Sequence, residues 1–427
     1  MLILLILALL QGLALAGDCL KFTAPLIPKA KILDICSNIV PDLTLPSPLT
    51  GLENVPAISV CNVTVLLTHP GDDDHVVVNV WLPHNNSWNG RYVATSGGGL
   101  AVGYTHNMLS LVLVGFASSS TDGGLTMDNT VNPQSGTWIS WSNGTLNKPL
   151  LLNLAHRSIH EMSIIAKNII AQYYGTHAVR SYFTGCSQGG RQGYASAAHH
   201  PEDFDGILTR ISSKPAPFIQ PRSLGKLRTV KTDLRLSPRN TLALRNENGW
   251  YALPPSAGWL RGMLPVNTSN IFDLSLDDFY DLFDVSVKEG GPLFGLETLN
   301  FTDFHAGGGK LLSWVGLSDE LINPLNLLHF YDSVQEQFDN SSAVDDFFRL
   351  FTAPGVGHCK GGSGPQLLNA MTVLVDWVEH GIPPETLPAM SSYPQAREGM
   401  RSLCRYPRKP VYLGGDVHAG SSFFCSE

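Results

Sequence analysis

Charge is scarce in this sequence. Asp, Glu, Lys and Arg make up 15% of its 427 residues, against 43% hydrophobic ones. That balance suits a large, well-buried globule, of one core with insertions or of two domains. Positive charge is scarcer still, and the formal net charge of −8 argues against nucleic acid and against an anionic membrane surface as partners. Beyond the first sixteen residues no apolar run is long enough for a transmembrane helix. Paired C-x-x-C spacings are missing among the seven cysteines (19, 36, 61, 186, 359, 404, 425), which speaks against a structural zinc site. Seven is odd, so one thiol is left over within the monomer.

What is present begins with a leader. Met1 to Ala16 is apolar and ends Ala14-Leu15-Ala16, an A-x-A cleavage pattern, although it lacks an early lysine or arginine. The expectation is a signal peptide over 1–16 and a secreted, extracellular protein starting at Gly17. Export gives meaning to six N-x-S/T triplets, at Asn62, Asn85, Asn143, Asn267, Asn300 and Asn340, as candidate glycan sites. It also fits the cysteine count.

The stretch that organises the chain is Tyr182 to Arg191. Its centre, Gly185-Cys186-Ser187-Gln188-Gly189, reads G-x-S-x-G. That pattern places a serine on a sharp strand-to-helix turn with its hydroxyl thrust outward. A side chain at either glycine would clash across so tight a turn. Val179 to Thr184 reads as a buried strand, and Gly190 to His199, free of proline until Pro201, can start a helix. The plainer reading is an ordinary glycine-rich turn.

Along the chain, residues 17–60 are Pro- and Leu-rich and read as a wrapping segment. Cys61 to Leu67 and His75 to Leu82 read as strands joined by a turn holding Asp72, Asp73 and Asp74. Three aspartates could suggest calcium, but a solvated turn is the simpler reading. Arg91 to Thr95 is a strand followed by Ser96-Gly97-Gly98-Gly99. This loop either presents backbone N–H groups to an anion, as in esterase oxyanion loops, or is a mobile turn. Leu111 to Ala117 reads as a strand and Ser118 to Gly124 as a polar loop. Leu151 to Tyr174 reads as a core helix, with Leu154, Ile159, Met162, Ile165, Ala166 and Ile169 at helical spacing. Strand, helix, strand, sharp turn, helix predicts a mostly parallel α/β sheet. Residues 207–305 break the rhythm with Pro, Gly and aromatics and a basic run (Lys226, Arg228, Lys231, Arg235, Arg239, Arg245) read as a solvated face. They are read as a lid inserted into a catalytic domain formed by 17–206 and 306–427. Gly309 to Val315 and Phe347 to Phe351 resume the strands, and Leu367 to His380 the helices. Cys404 and Cys425 in the tail are expected to pair.

A serine nucleophile needs a base, and the base an orienter. In this architecture the order is Ser, then Asp or Glu, then His. The histidines after Ser187 are 199, 200, 305, 329, 358, 380 and 418. His199 and His200 end the nucleophile's own helix, and His329 and His380 lie in helical patterns. His358, in a loop after a strand-like run, is the best-placed base. Asp319, after a strand and before Pro324, is the best-placed orienter, with Glu320 and Asp303 as alternatives. Cys186 directly precedes Ser187, and Cys359 directly follows His358. If serine and histidine are within hydrogen-bond reach, their neighbours' Cα atoms can fall in the disulfide range of about 4.4–6.8 Å. A Cys186–Cys359 bridge would then hold the pair in place.

Cys-Ser, then Asp, then His-Cys resembles the signature of the fungal tannase and feruloyl esterase family of secreted α/β-hydrolases. Similar to family stretches are Val80-Trp81-Leu82-Pro83, Gly97 to Gly99, Phe204 to Ile207, Gly308 to Leu312 and Val375 to Gly381. The resemblance covers most of the chain outside 207–305. It implies an α/β-hydrolase fold with Ser187 as nucleophile, Asp319 as orienter, His358 as base and a Cys186–Cys359 disulfide. It implies oxyanion donors from the backbone of Gln188 and from the glycine loop, at Gly98 and Gly99. Its substrates would be hydroxycinnamoyl or galloyl esters of plant material. The family's larger lid carries a calcium loop and extra cysteines, whereas nothing in 207–305 matches that loop and no cysteine lies there. A shortened lid is therefore expected, with no metal ligands assigned and no cofactor needed for the chemistry. Cys36 lacks its family partner, which leaves Cys19 to pair with Cys61.

Two other readings stay open. A cut-down lid could leave a non-catalytic homologue, which would not react with a serine-directed organophosphonate. A serine carboxypeptidase shares the residue order and would release C-terminal amino acids from peptides.

Overall fold

Alternation in the Val-rich runs builds the first ladder of the sheet. Lys31–Leu43 (β1), Ile58–Thr68 (β2) and Val76–Pro83 (β3) pair antiparallel. Val63, Val65, Leu67, Val76, Val78, Val80 and Leu82 point inward and are fully buried, while Thr64 and Asn79 meet on the outer face through a 2.9 Å hydrogen bond. This is the pattern of an antiparallel sheet packed on one face only. The computed structural model describes residues 19, 21–44, 57–84, 87–126, 132–211, 243–246, 249–252, 254–263, 276–296, 298–338, 341–390, 400–417 and 419–426. The leader, Asn85, Asn267, Asn340, His418 and the basic residues 226–239 lie outside these. Asn143 and Asn300 are exposed and Asn62 is half-buried.

The sheet then turns parallel. Arg91–Thr95 (β4), Ala117–Thr121 (β5), Arg180–Ser187 (β6) and Gly206–Ile211 (β7) continue it. Ala243–Asn246 (β8) and Gly249–Ala252 (β9) form a separate small hairpin. Lys310–Gly316 (β10) and Phe348–Ala353 (β11) complete nine strands in the order β1-β2-β3-β5-β4-β6-β7-β10-β11. All pairs from β5 to β11 are parallel. Helices pack on both faces, giving one core around helix Ser158–Tyr174 and a second around helix Ala370–His380. The six expected stripe residues of the first helix are completely buried. Each large one contributes about 1.5–3 kcal/mol by leaving water.

Five expectations are corrected. Leu111 to Ala117 is not a strand: Leu109–Leu113 is a short helix, and the strand is Ala117–Thr121. The polar run Ser118 to Thr121 lies fully buried in the sheet, which is possible because its hydroxyls find partners. Ser118 donates to the Val93 carbonyl at 2.9 Å, Thr121 to the Val77 carbonyl at 2.9 Å, and Ser119 bonds the Tyr92 hydroxyl at 2.7 Å. The supposed wrapping segment holds the long edge strand β1, whose Pro41 sits at a break in register between Val40 and Leu43. The helix expected at Leu151 to Tyr174 is interrupted, with one π turn at Asn153–Arg157. The aspartate turn is solvated only in part: Gly71 and Asp73 are exposed, but the other two carboxylates are engaged. Asp74 is buried, accepts from the backbone N–H of His69 at 2.8 Å, and faces the His69 ring at 2.7 Å. His69 in turn bonds Glu161 at 2.7 Å, and Asp72 pairs with Arg157 at 2.7 Å. With two of its three carboxylates already neutralised, this turn does not fit a calcium ion.

The sheet also extends into the span read as lid, through β7, and Phe301 and Phe304 at its far end belong to the main core. Between them, helices Pro254–Met263 and Leu276–Phe294 are described. Cys19–Cys61, Cys186–Cys359 and Cys404–Cys425 are bonded, and Cys36 is free and exposed on β1.

Candidate active site

Ser187 is the last residue of β6 and caps helix Gln188–His199. Its φ of 60° and ψ of −125° lie in a region that costs a non-glycine residue about 1–3 kcal/mol. The strain is held by close packing beneath the turn. A Cβ on Gly189 would lie 2.7 Å from the Gly97 carbonyl oxygen and collide with the Ser96 hydroxyl. One on Gly185 would collide with the same hydroxyl and with the Gly189 carbonyl. The two glycines of the motif thus let the Ser96–Gly99 loop lie directly against the turn.

That loop is held from its other side. Gln134 donates from Nε2 to the Gly98 carbonyl at 2.9 Å, and its Oε1 accepts from the Leu100 N–H at 2.9 Å. The Tyr104 hydroxyl also donates to Gly98 O, at 3.1 Å. Because a trans peptide aims its C=O and N–H in opposite directions, fixing Gly98 O fixes the Gly99 N–H away from Gln134. The Gly97 N–H is consumed by Val102 O at 2.6 Å. Gly97 is thereby removed as an anion donor, and Gly98, Gly99 and the first helical N–H, of Gln188, remain. Gln134 went unnoticed in the sequence. An Asn-Pro start to its turn, in which Asn132 caps the Gln134 N–H at 3.0 Å, was the available signal.

His358 and Asp319 meet as expected. His358 Nδ1 and Asp319 Oδ2 are 2.9 Å apart, with the carboxylate almost wholly buried. Asp319 sits just past β10, and its other oxygen accepts N–H groups from Leu321 and Ile322 at 2.9 and 2.8 Å. A carboxylate that accepts from Nδ1 leaves Nε2 as the basic nitrogen. Glu320, the first alternative orienter, instead accepts the backbone N–H of His358 at 3.1 Å. Asp303 is in the helix Thr302–Ala306, apart from this pair. Among the other histidines, His305 stacks on Phe347 and His380 pairs with Asp376. The Cys186–Cys359 bridge joins the residue before Ser187 to the residue after His358, with Cα atoms 6.1 Å apart.

Behind the turn, Arg191 is buried, and among the described residues no carboxylate pairs with it. Its Nη2 donates to the carbonyls of Leu154 and Ala155 at 3.0 and 2.7 Å, and its Nε to Gln188 Oε1 at 2.9 Å. Both carbonyls belong to the π turn. Burial draws the guanidinium down to about 9, so it is still charged at neutral pH.

This arrangement of strand, strained serine, carboxylate-bound imidazole and glycine loop is that of an acyl-transfer enzyme. A family model described as tannase and feruloyl esterase matches residues 61–228 and 265–426. This chain belongs to the tannase and feruloyl esterase family. A probable feruloyl esterase of Arthroderma benhamiae is 33% identical to this serine esterase, over 96% of this chain and 94% of the relative. Feruloyl esterase B of Aspergillus niger is 26% identical over 86% and 87%. Among solved structures, tannin acyl hydrolase from Aspergillus niger superposes with a TM-score of 0.74 at 20% identity, covering 94% of this chain and 92% of that one. Feruloyl esterase B from Aspergillus oryzae gives 0.69 at 19%, covering 94% and 98%. These two likenesses establish the α/β-hydrolase fold of this family member. The alignment with the Arthroderma relative spans 509 positions, more than this chain's 427 residues, so the relative has stretches that this tannase and feruloyl esterase family member lacks. The break in the family match, 229–264, falls within the span that the sequence reads as a lid.

Proposed function

We propose that this carboxylesterase acts outside the cell on esters of phenolic acids from plant material, through an acyl-enzyme on Ser187. One observation carries the reading: a serine on a strained turn and an imidazole oriented by a carboxylate are tied to each other by a single disulfide. His358 Nε2 takes the Ser187 proton as Oγ attacks the ester carbonyl. The oxygen that becomes negative is received by the backbone N–H of Gln188 and by the Gly98–Gly99 loop. The alcohol leaves with the proton held by His358. Water, activated by the same imidazole, then releases the acid and restores the serine. Asp319 stays ionised and stabilises the imidazolium. The names of the relatives favour ferulate-type acids, with gallate as the second reading favoured by the tannin acyl hydrolase likeness. Three disulfides support an extracellular site of action.

The test is hydrolysis of methyl ferulate and methyl gallate by the purified chain, with Ser187→Ala as control. Turnover of the ferulate ester that disappears in a folded Ser187→Ala supports the reading. Full turnover by that variant would overturn the nucleophile, and turnover of methyl gallate alone the substrate.

A further inference from the structure

At the far end of the nucleophile's helix, about 18 Å along its axis from Ser187, lies a group of histidines with no part in ester hydrolysis. His156 lies in the π turn, His160 follows in helix Ser158–Tyr174, His199 ends the nucleophile's helix and His200 comes next. His156 Nδ1 and His200 Nε2 are 3.0 Å apart. The His160 ring lies over the His200 ring at 3.9 Å between centroids. One possible ligand atom from each of His160, His200 and Glu202 lies within 4.8 Å of the other two.

Behind this group sits a buried carboxylate. Asp203 is 2% exposed and accepts from His160 Nδ1 at 2.9 Å. A carboxylate behind one imidazole nitrogen turns the other outward as a lone pair, the arrangement that orients histidines bound to metal ions. Two ring nitrogens at 3.0 Å share one proton at most, so His156 and His200 cannot both be charged.

We propose that His160, His200 and Glu202, with His156 as fourth donor and Asp203 behind, form a site for a divalent transition-metal ion of the zinc or copper(II) class. Three imidazoles and one carboxylate suit such borderline ions, and are a poor set for calcium or magnesium, which take oxygen ligands. Zinc bonds of about 2.0–2.2 Å hold tetrahedral ligands roughly 3.4 Å apart, so the group must contract by about 1 Å. The His160 and His200 rings lie 11° from parallel, so one of them must also turn about its Cβ–Cγ bond for both nitrogens to face the ion. His160 and His200 are only half-buried, which leaves room for that turn. An ion there would pin the end of the nucleophile's helix to the long helix beside it.

The experiment is calorimetric titration of the chelator-stripped full chain with zinc chloride and, separately, copper(II) chloride, with thermal unfolding in parallel. One site per chain and a higher Tm are expected, with the copper(II) spectrum showing nitrogen ligation and calcium giving no shift. His160→Ala/His200→Ala should abolish the tight site, and Asp203→Asn weaken it about 10- to 100-fold. Should the double variant fold poorly, the exposed Glu202→Gln, which leaves the core untouched, should also weaken zinc binding. Absence of a stoichiometric site overturns the proposal. So does a site that survives unchanged in His160→Ala/His200→Ala, or in Glu202→Gln where the double variant does not fold, since the ion would then sit on other histidines.

Discussion

Removing the Cys186–Cys359 bridge should damage activity and stability by separable amounts. The cysteines are 173 residues apart, while the other two bridges close stretches of 42 and 21 that do not overlap this one. Loop-closure entropy for the long stretch amounts to about 5 kcal/mol, against about 4 and about 3 for the shorter ones. Residual order in the unfolded chain reduces such values, so a measured loss of about 3–5 kcal/mol is expected. The catalytic effect comes from position. Ser187 is on a β6 turn and His358 on a loop after β11, and the bridge is the one covalent tie between them. A displacement of about 1 Å between reacting groups can cost about a hundredfold in rate. The variant Cys186→Ala/Cys359→Ala avoids a stray thiol. Urea unfolding reads the stability, and kcat is measured on methyl ferulate well below Tm, where circular dichroism shows a native fold. A drop in kcat of about a hundredfold with little change in KM is expected. A folded double variant with wild-type kcat would refute the positioning argument and leave the bridge a stabilising role alone.

Asp319→Asn should lower kcat by about 10³–10⁴-fold with the fold intact, because an amide no longer fixes the His358 tautomer; a pH–rate profile of unchanged height contradicts this. Gln134→Ala leaves the Gly98 carbonyl to Tyr104 alone and the Leu100 N–H without its acceptor, and should reduce kcat about 10- to 100-fold with KM nearly constant, a smaller loss than removing an oxyanion donor outright. Wild-type kcat in that variant would mean the loop holds its shape without the clamp. The His69 network should shape stability against pH. Burial alone would depress His69, but its hydrogen bonds to Asp74 and Glu161 prevail and hold it up to about 9. Burial would likewise raise Asp74, but His69 and Asn153 hold it down to about 2. The His69 contribution is complete below about 6.5 and fades as pH rises through 9; that of Asp74 is complete above about 4 and fades as pH falls through 2. Tm should therefore be highest between about pH 4 and 6.5, and His69→Phe should flatten the alkaline decline.

Much of this was legible because certain local rules admit few alternatives. The G-x-S-x-G turn announces itself through two glycines whose missing side chains leave room for the Ser96–Gly99 loop. The adjacency of Cys186 to Ser187 and of Cys359 to His358 encoded a long-range contact in short-range text. Illegible parts obey rules that only tertiary context reveals. Ser118 to Thr121 reads as loop because buried strands are expected to be apolar, and only the neighbouring carbonyls show how the hydroxyls are satisfied. Strand β1 alternates weakly because it lies at the sheet edge, exposed along both faces. Gln134 acts through backbone atoms of a loop 34 residues earlier, which no local pattern records.

The π turn at Asn153–Arg157 has a consequence for how this chain can vary. A helix with one residue too many per turn releases carbonyls from the ladder, and here Leu154 and Ala155 offer theirs to a guanidinium that pairs with no carboxylate among the described residues. The two halves depend on each other: deleting a residue from 153–157 would rewind the helix and strand the charge of Arg191 in the core, and replacing Arg191 would take the side-chain donor from the Ala155 carbonyl, whereas Leu154 O would keep Gln192 Nε2 at 3.1 Å. The extra residue and the arginine thus act as one unit, and a change to either calls for a matching change in the other.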